Sequence, residues 1–168
     1  MEILKILEVV ETNVEKLSIV IPDSWIEILD WSENRALIIA PVPSKLSFLT
    51  IMPINQWEKK IESKLNMRLD KNAMFFRWMI GWCETTSILN NNLLNIPNSL
   101  MECVRIEDMQ TTLLILHSDR IDIVSKGEFL KVCPALDKDC SYNDIVENMA
   151  LIYQGCIFHK LLTEGRVQ

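Results

Sequence analysis

The sequence predicts an α+β protein in which two tandem β-rich units share one pseudo-symmetric core, with helices at the periphery and a further helix after the repeats. Three observations carry this. Ile21-Pro22-Asp23-Ser24-Trp25-Ile26-Glu27 returns 75 positions later as Ile96-Pro97-Asn98-Ser99-Leu100-Met101-Glu102. In both copies the Ile-Pro step is preceded by a β-like apolar run and followed by a short amphipathic helix and two more apolar runs, 36–40 and 48–52 in the first copy, 111–116 and 120–124 in the second. Each copy then closes on a polar helix start with one bulky aromatic, Asn55-Gln56-Trp57 or Gly127-Glu128-Phe129. Repetition of this kind requires each unit to bury its apolar face against the other. The implied organisation is repeat one over 1–70, repeat two with its linker over 71–135, and a helical extension over 136–168.

The elements follow in order. Residues 3–10 alternate as a strand, 11–16 form a turn with Asn13 as the expected left-handed position, and the β-branched run 17–21 returns. Pro22 cannot donate to a ladder, so it ends that strand and suits the first turn of a helix, in which Trp25, Ile28 and Leu29 make a buried stripe. A second hairpin over 37–52 follows, its connection held extended by Pro41 and Pro43. Trp57, Ile61 and Leu65 recur every four residues among charged neighbours, the pattern of a surface helix with one apolar edge.

The linker carries the aromatic block Phe75-Phe76-Arg77-Trp78-Met79-Ile80-Gly81-Trp82. It reads either as a stacking platform for bases or as a plug in the core between repeats. With Arg77 its only cation, the plug is the favoured reading. The second copy runs 85–89, turns through Asn90-Asn91-Asn92, and returns along 93–96. Asparagine tolerates positive φ, which suits such a turn. Past Pro134 the repeat stops. Ser141 and Asp144 resemble a capping box, and Ile145, Met149, Ile152 and Cys156 form the stripe of one long helix over 141–162. This stripe either packs on its own domain or contacts a neighbouring subunit.

Composition bounds the function. The chain has 168 residues, 49% of them hydrophobic, with only 4 Gly and 6 Pro, which is globular and not disordered. One repeat of about 65 residues is marginal alone, which favours mutual burial or a homo-oligomer. A formal charge of −6 argues against diffuse affinity for nucleic acid or anionic membrane. Five cysteines without a CxxC pair, and only His117 and His159 as nitrogen ligands, argue against a zinc site, and no cofactor is implied. No signal peptide and no membrane-length apolar run are visible, so a cytoplasmic location is expected, at the bacterial nucleoid if DNA is bound. No phosphate-cradling glycine loop, HxxxH or nucleophile elbow is present, so no enzyme is expected.

The order of elements, with Asp119 to Lys126 and Phe129 closing the second unit, Phe48 to Leu65 with Pro53 and Trp57 closing the first, and Arg77-Trp78-Met79-Ile80-Gly81 between them, resembles the MraZ family of bacterial division-cluster regulators. That resemblance covers about residues 3–132. It implies two AbrB-type swapped-hairpin units, an oligomer, and transcriptional regulation through double-stranded DNA touched by the first hairpin turns. The residues it points to here are Lys5, Asn13, Lys16, Asn90, Asn91 and Asn92.

The family's Asp-x-x-x-Arg motif, with Gly before the Arg, is missing. Leu89 and Leu93 stand in its place in the second unit. In the first, either Ser18 holds the Arg position or Lys16 survives as its cation, with Glu15 for the glycine and Thr12 for the acid. A guanidinium held by a carboxylate gives rigid phosphate or guanine contact. Its loss supports the alternative expectation, a degenerate relative that no longer binds DNA and serves as a protein-interaction or structural module.

Overall fold

Pro22 and Pro97 each stop a strand and start a short helix with nearly the same backbone, φ −58°, ψ 138° and φ −57°, ψ 133°. Proline has no N–H to leave orphaned in a helix's first turn, so it fits both places. The computed structural model describes residues 6–33, 36–62 and 71–164, and the duplication runs through it. The first half is β1 (Glu8–Asn13), β2 (Ser18–Val20), α1 (Asp23–Leu29), β3 (Ala36–Val42), β4 (Phe48–Pro53) and α2 (Ile54–Trp57), which continues as a π-helical turn, Glu58–Glu62. Helix α3 (Lys71–Trp82) leads into the second half: β5 (Glu84–Ser87), β6 (Leu93–Asn95), α4 (Asn98–Cys103), β7 (Thr111–Leu116), β8 (Ile121–Ser125) and α5 (Lys126–Val132). Helices α6 (Tyr142–Gln154) and α7 (Ile157–Glu164) follow.

Even the helix ends match. Asp30 and Arg105 both have φ 58°. The next amides, of Trp31 and Ile106, donate to the Ile26 and Met101 carbonyls, both at 2.9 Å. A left-handed residue satisfies the last helical carbonyls in this way.

All strand pairs are antiparallel, in a six-stranded sheet of order β1-β7-β8-β4-β3-β5 and a two-stranded ribbon β2-β6. Exchanging each strand for its counterpart, β1 with β5 through β4 with β8, leaves every pairing unchanged. The pseudo-two-fold axis passes between Ile19 and Leu94 in the ribbon and between Thr50 and Asp122 in the sheet, since each pair consists of counterparts facing one another. The sheet pair is 72 positions apart and not 75 because the second β-connection is three residues shorter.

This pairing corrects one expectation. The first strands of each unit do not fold back as hairpins: β1 makes six pairs with β7, and only the single bridge Glu15↔Ser18 joins it toward β2. In the second half β5 pairs with β3, and the bridge Ile88↔Leu94 reaches β6. A longer ladder in the other half outcompetes the local turn. The hairpin expected over 37–52 does form, as β3–β4.

Two apolar clusters cover the two faces of the sheet. Ile19, Ile21, Trp25, Trp31, Leu94, Ile96 and Leu100 fill the space under the ribbon. Phe48, Trp57, Met79, Phe129, Met149, Tyr153 and Phe158 fill the opposite face under the helices. Strands β4 and β8 are buried at every residue, which is why they read as largely apolar runs, interrupted by Thr50 in one and Asp122 in the other. Each large side chain so buried contributes about 1.5–3 kcal/mol.

Two helical expectations change. The capping box at Ser141 and Asp144 forms, but the single long helix is broken at Gly155 and Cys156 into α6 and α7. The break brings Phe158 and His159 down into the interior. The linker helix is only half a plug. Met79 is fully buried, yet Trp78 and Trp82 remain 42% and 45% exposed and Met74 70%. A single helix lying on a sheet can bury one face only. Leu65 lies outside the described residues.

Candidate functional site

The ribbon β2–β6 carries the two turns from which DNA contact is expected. Leu17 and Asn92 are counterparts, with φ 60° and 59°. Their carbonyls accept the Ile96 and Ile21 amides, both at 2.8 Å. Because the strands are antiparallel, the turns sit at opposite ends of a ribbon only three pairs long.

The left-handed residues of the first turn are Lys16 and Leu17, not Asn13. Asn13 ends β1, where its side-chain oxygen accepts a hydrogen bond from the Thr111 hydroxyl at 3.1 Å. A strand that continues to residue 13 moves the reversal three residues on. Lys16 is exposed beside a polar groove lined by Thr85, Thr86, Ser87, Asn95 and Asn98. At the other end Asn90 and Asn91 are exposed, and the Asn92 amide nitrogen donates to the Asp23 carboxylate. Lys5 lies outside the described residues.

Carboxylates attend both turns. Asp108 accepts the Leu17 amide at 3.3 Å, with Glu15 exposed alongside, and Asp23 holds Asn92. The structure therefore brings Asn13 and Lys16 to one end of the ribbon and Asn90, Asn91 and Asn92 to the other, each with an acid.

The stripe considered for subunit contact is used within the protomer. Ile145, Met149 and Cys156 are buried and Ile152 is half-buried, all in the cluster between helices and sheet. Packing on the chain's own domain was the other reading, and it is the one that holds.

The most unusual chemistry lies where the sequence pointed least, under α6 and α7. Asp122 on β8 is fully buried. One of its oxygens accepts from His117 Nε2 at 2.9 Å and from the Tyr153 hydroxyl at 2.6 Å, and the other from Arg120 Nε at 3.3 Å. Arg120 also donates to His159 Nδ1 at 2.7 Å and to Asp119 at 3.3 Å, and Asp119 pairs with Lys60 at 2.7 Å. Arginine can only donate, so His159 is neutral at Nδ1.

The electrostatics agree with that assignment. Burial pushes the Asp122 carboxyl up, but Arg120 and His117 outweigh it and hold it far below the usual carboxylate range. Burial, then the Arg120 charge, lowers His117 and takes His159 down to about 3. Burial and the Asp122 charge raise Tyr153 well above its ordinary value. At neutral pH the cluster is thus a carboxylate and a guanidinium, solvated by two neutral imidazoles and a phenol.

The helices straddle the pseudo-axis. Phe48 and Thr50 of the first half are counterparts of Arg120 and Asp122. Tyr153 lies edge-on to Phe48 at 5.6 Å while its hydroxyl reaches Asp122. Phe158 is 6.4 Å from Phe48 and 5.4 Å from the Arg120 guanidinium carbon.

Such an arrangement anchors the two helices to the sheet. His117, Arg120, Asp122, Tyr153 and His159 are 0–4% exposed. Among the described residues no group of three His, Cys, Asp or Glu is placed to hold a metal ion, and no helix is long and apolar enough to cross a membrane. No cysteine is in a disulfide, and burial raises the thiols of Cys103, Cys133 and Cys156 away from the reactive thiolate. The cluster does leave a trace in the sequence. Asp122 interrupts an otherwise apolar strand between Ile121 and Ile123, and both histidines of the chain join its network, His117 directly and His159 through Arg120. Neither the models of known protein families nor the curated proteins provide a match to this chain.

Proposed function

We infer that this chain is a divergent relative of the MraZ family that keeps an intertwined, AbrB-like swapped-hairpin core and has given up DNA contact, serving as a protein-interaction or structural module. The exchange of first strands between the halves supports the swapped-hairpin reading. One observation carries the loss of DNA contact: each turn that would meet a phosphate is held by a carboxylate, Asp108 or Asp23, and Lys16 is the single cation in the two turns. A phosphate approaching either end meets a like charge, and too few cations are available for counterion release to offset it.

The competing reading, an oligomeric transcriptional regulator that binds double-stranded DNA, is favoured only by Lys16 standing exposed at a ribbon end. Fluorescence anisotropy with a labelled duplex at low salt decides between them. No saturable binding is expected. Binding that weakens steeply with added salt, and weakens again in Lys16→Ala, establishes the regulator instead.

A further inference from the structure

A cavity of about 650 Å³ opens between the end of α5, the second half of α6 and the β3–β4 connection. Val132, Leu136, Leu151 and Ile152 give it an apolar wall, and none of the five residues of the buried anchor lines it. Leu151 is 63% exposed, so it stands at the rim.

Lys45 is the single charged residue of the lining, and it forms no ion pair among the described residues. Its polar neighbours are already engaged. The Ser44 hydroxyl donates to the Leu46 carbonyl at 3.0 Å, and the Asn148 amide donates to the Asp144 carbonyl at 2.8 Å. Burial pushes the Cys133 thiol up while the Lys45 charge pulls it back, so the ammonium acts on the side of the cavity where Cys133 lies. Helices α5 and α6 both end here, at Val132 and Gln154. Their carbonyl ends carry partial negative charge, which disfavours an anion deep in the cavity and leaves exposed Lys45 as the place for one.

We propose that this cavity binds a small monocarboxylate with an unbranched apolar tail, the carboxylate on Lys45 and the tail against Val132, Leu136, Leu151 and Ile152. Ligand sites of this size pair a mostly apolar wall with very few polar groups that fix orientation. One cation and no acid on the wall match a single negative charge, and the apolar wall matches the tail behind it. The exposed rim at Leu151 leaves part of the ligand in water, so affinity is modest. Dissociation between about 0.1 and 1 mM is expected for octanoate.

Calorimetric titration of the full chain with octanoate, and with octan-1-ol as its uncharged match, tests the site. Octanoate should saturate one site and bind more tightly than octan-1-ol. Lys45→Gln should weaken octanoate about three- to fivefold, the upper range for an exposed ion pair, and leave octan-1-ol unchanged. Leu151→Glu puts a like charge at the rim, at an exposed helical position that glutamate suits. It should weaken octanoate at least about tenfold with an unchanged circular dichroism spectrum. Alkylation by iodoacetamide, read peptide by peptide by mass spectrometry, gives the place: octanoate should slow Cys133 and leave Cys83 and Cys103 as they were. Absence of saturable binding overturns the proposal, as does octan-1-ol binding as tightly as octanoate. Octanoate binding that ignores both substitutions, or leaves Cys133 unshielded, also overturns it. So does shielding of Cys133 that grows with protein concentration and needs no octanoate, since a second copy then fills the cavity.

Discussion

Hairpins β3–β4 and β7–β8 occupy equivalent places in the sheet yet meet the C-terminal helices with opposite chemistry. The first offers Phe48, the second Arg120 and Asp122, to the same pair of rings, Tyr153 and Phe158. The helices come from the end of the chain and lie across the axis, so they cannot treat both halves alike. One side is held by ring packing, which is tolerant of small shifts. The other is held by a buried ion pair, which is not. Breaking such a pair costs more than forming it gains, because the remaining charge stays in a poor solvent.

The contrast can be broken most severely at its charged end. Asp122→Ala leaves the buried Arg120 guanidinium with Asp119, at the edge of the cluster, and two neutral imidazoles. It should lower the unfolding free energy in urea by about 3–5 kcal/mol. Tyr153→Phe removes one hydrogen bond to the carboxylate and keeps the ring on Phe48, so a loss of about 1.5–3 kcal/mol is expected in the same assay. An effect below about 0.5 kcal/mol in either variant would mean that packing alone anchors α6 and α7.

Acid should loosen the charged side selectively. His159 titrates at about 3 in the folded chain and near about 6.5 when unfolded. Between those values the unfolded state binds the extra proton. The contribution is therefore complete above pH 6.5 and is lost as pH falls toward 3, at up to about 1.4 kcal/mol per pH unit for one proton. Urea midpoints measured from pH 7 to pH 4 should decline, and His159→Gln should flatten that decline.

Thr50, the counterpart of Asp122, sharpens the comparison from the other side. Its hydroxyl is buried without a hydrogen-bond partner among the described residues. Thr50→Val keeps the shape and removes the polar atom, so a gain of about 1 kcal/mol is expected where Asp122→Ala is destructive. The smallest effect belongs to the ribbon turn: Lys16→Ala, at an exposed position, should change stability by less than about 0.5 kcal/mol.

How much of this was legible follows from what each pattern encodes. The repeat Ile21-Pro22 and Ile96-Pro97 announced the duplicated strand–helix step, because proline acts on its own backbone whatever surrounds it. The capping box at Ser141 was legible for the same local reason. Strand exchange was implied only through the family resemblance, since Glu8 to Asn13 carries no mark of its partner 98 to 108 residues away. The anchor was missed because its residues are scattered over His117, Arg120, Asp122, Tyr153 and His159, and only the fold assembles them. The aromatic block misled for a physical reason. Tryptophan so often signals a core that two of them on the open side of a helix read as interior.

The pairing of β1 with β7 has a consequence for how the protein is made. Asn13 must wait for Thr111, and Glu8 for Leu116, to emerge from the ribosome. Until then the nascent N-terminal segment is an unpaired edge attached to a sticky, unfinished half. Contacts this distant in sequence slow folding and prolong exposure to aggregation. Synthesis of this chain should therefore depend on a chaperone to shield its first hundred residues, and a truncated first repeat should precipitate rather than fold.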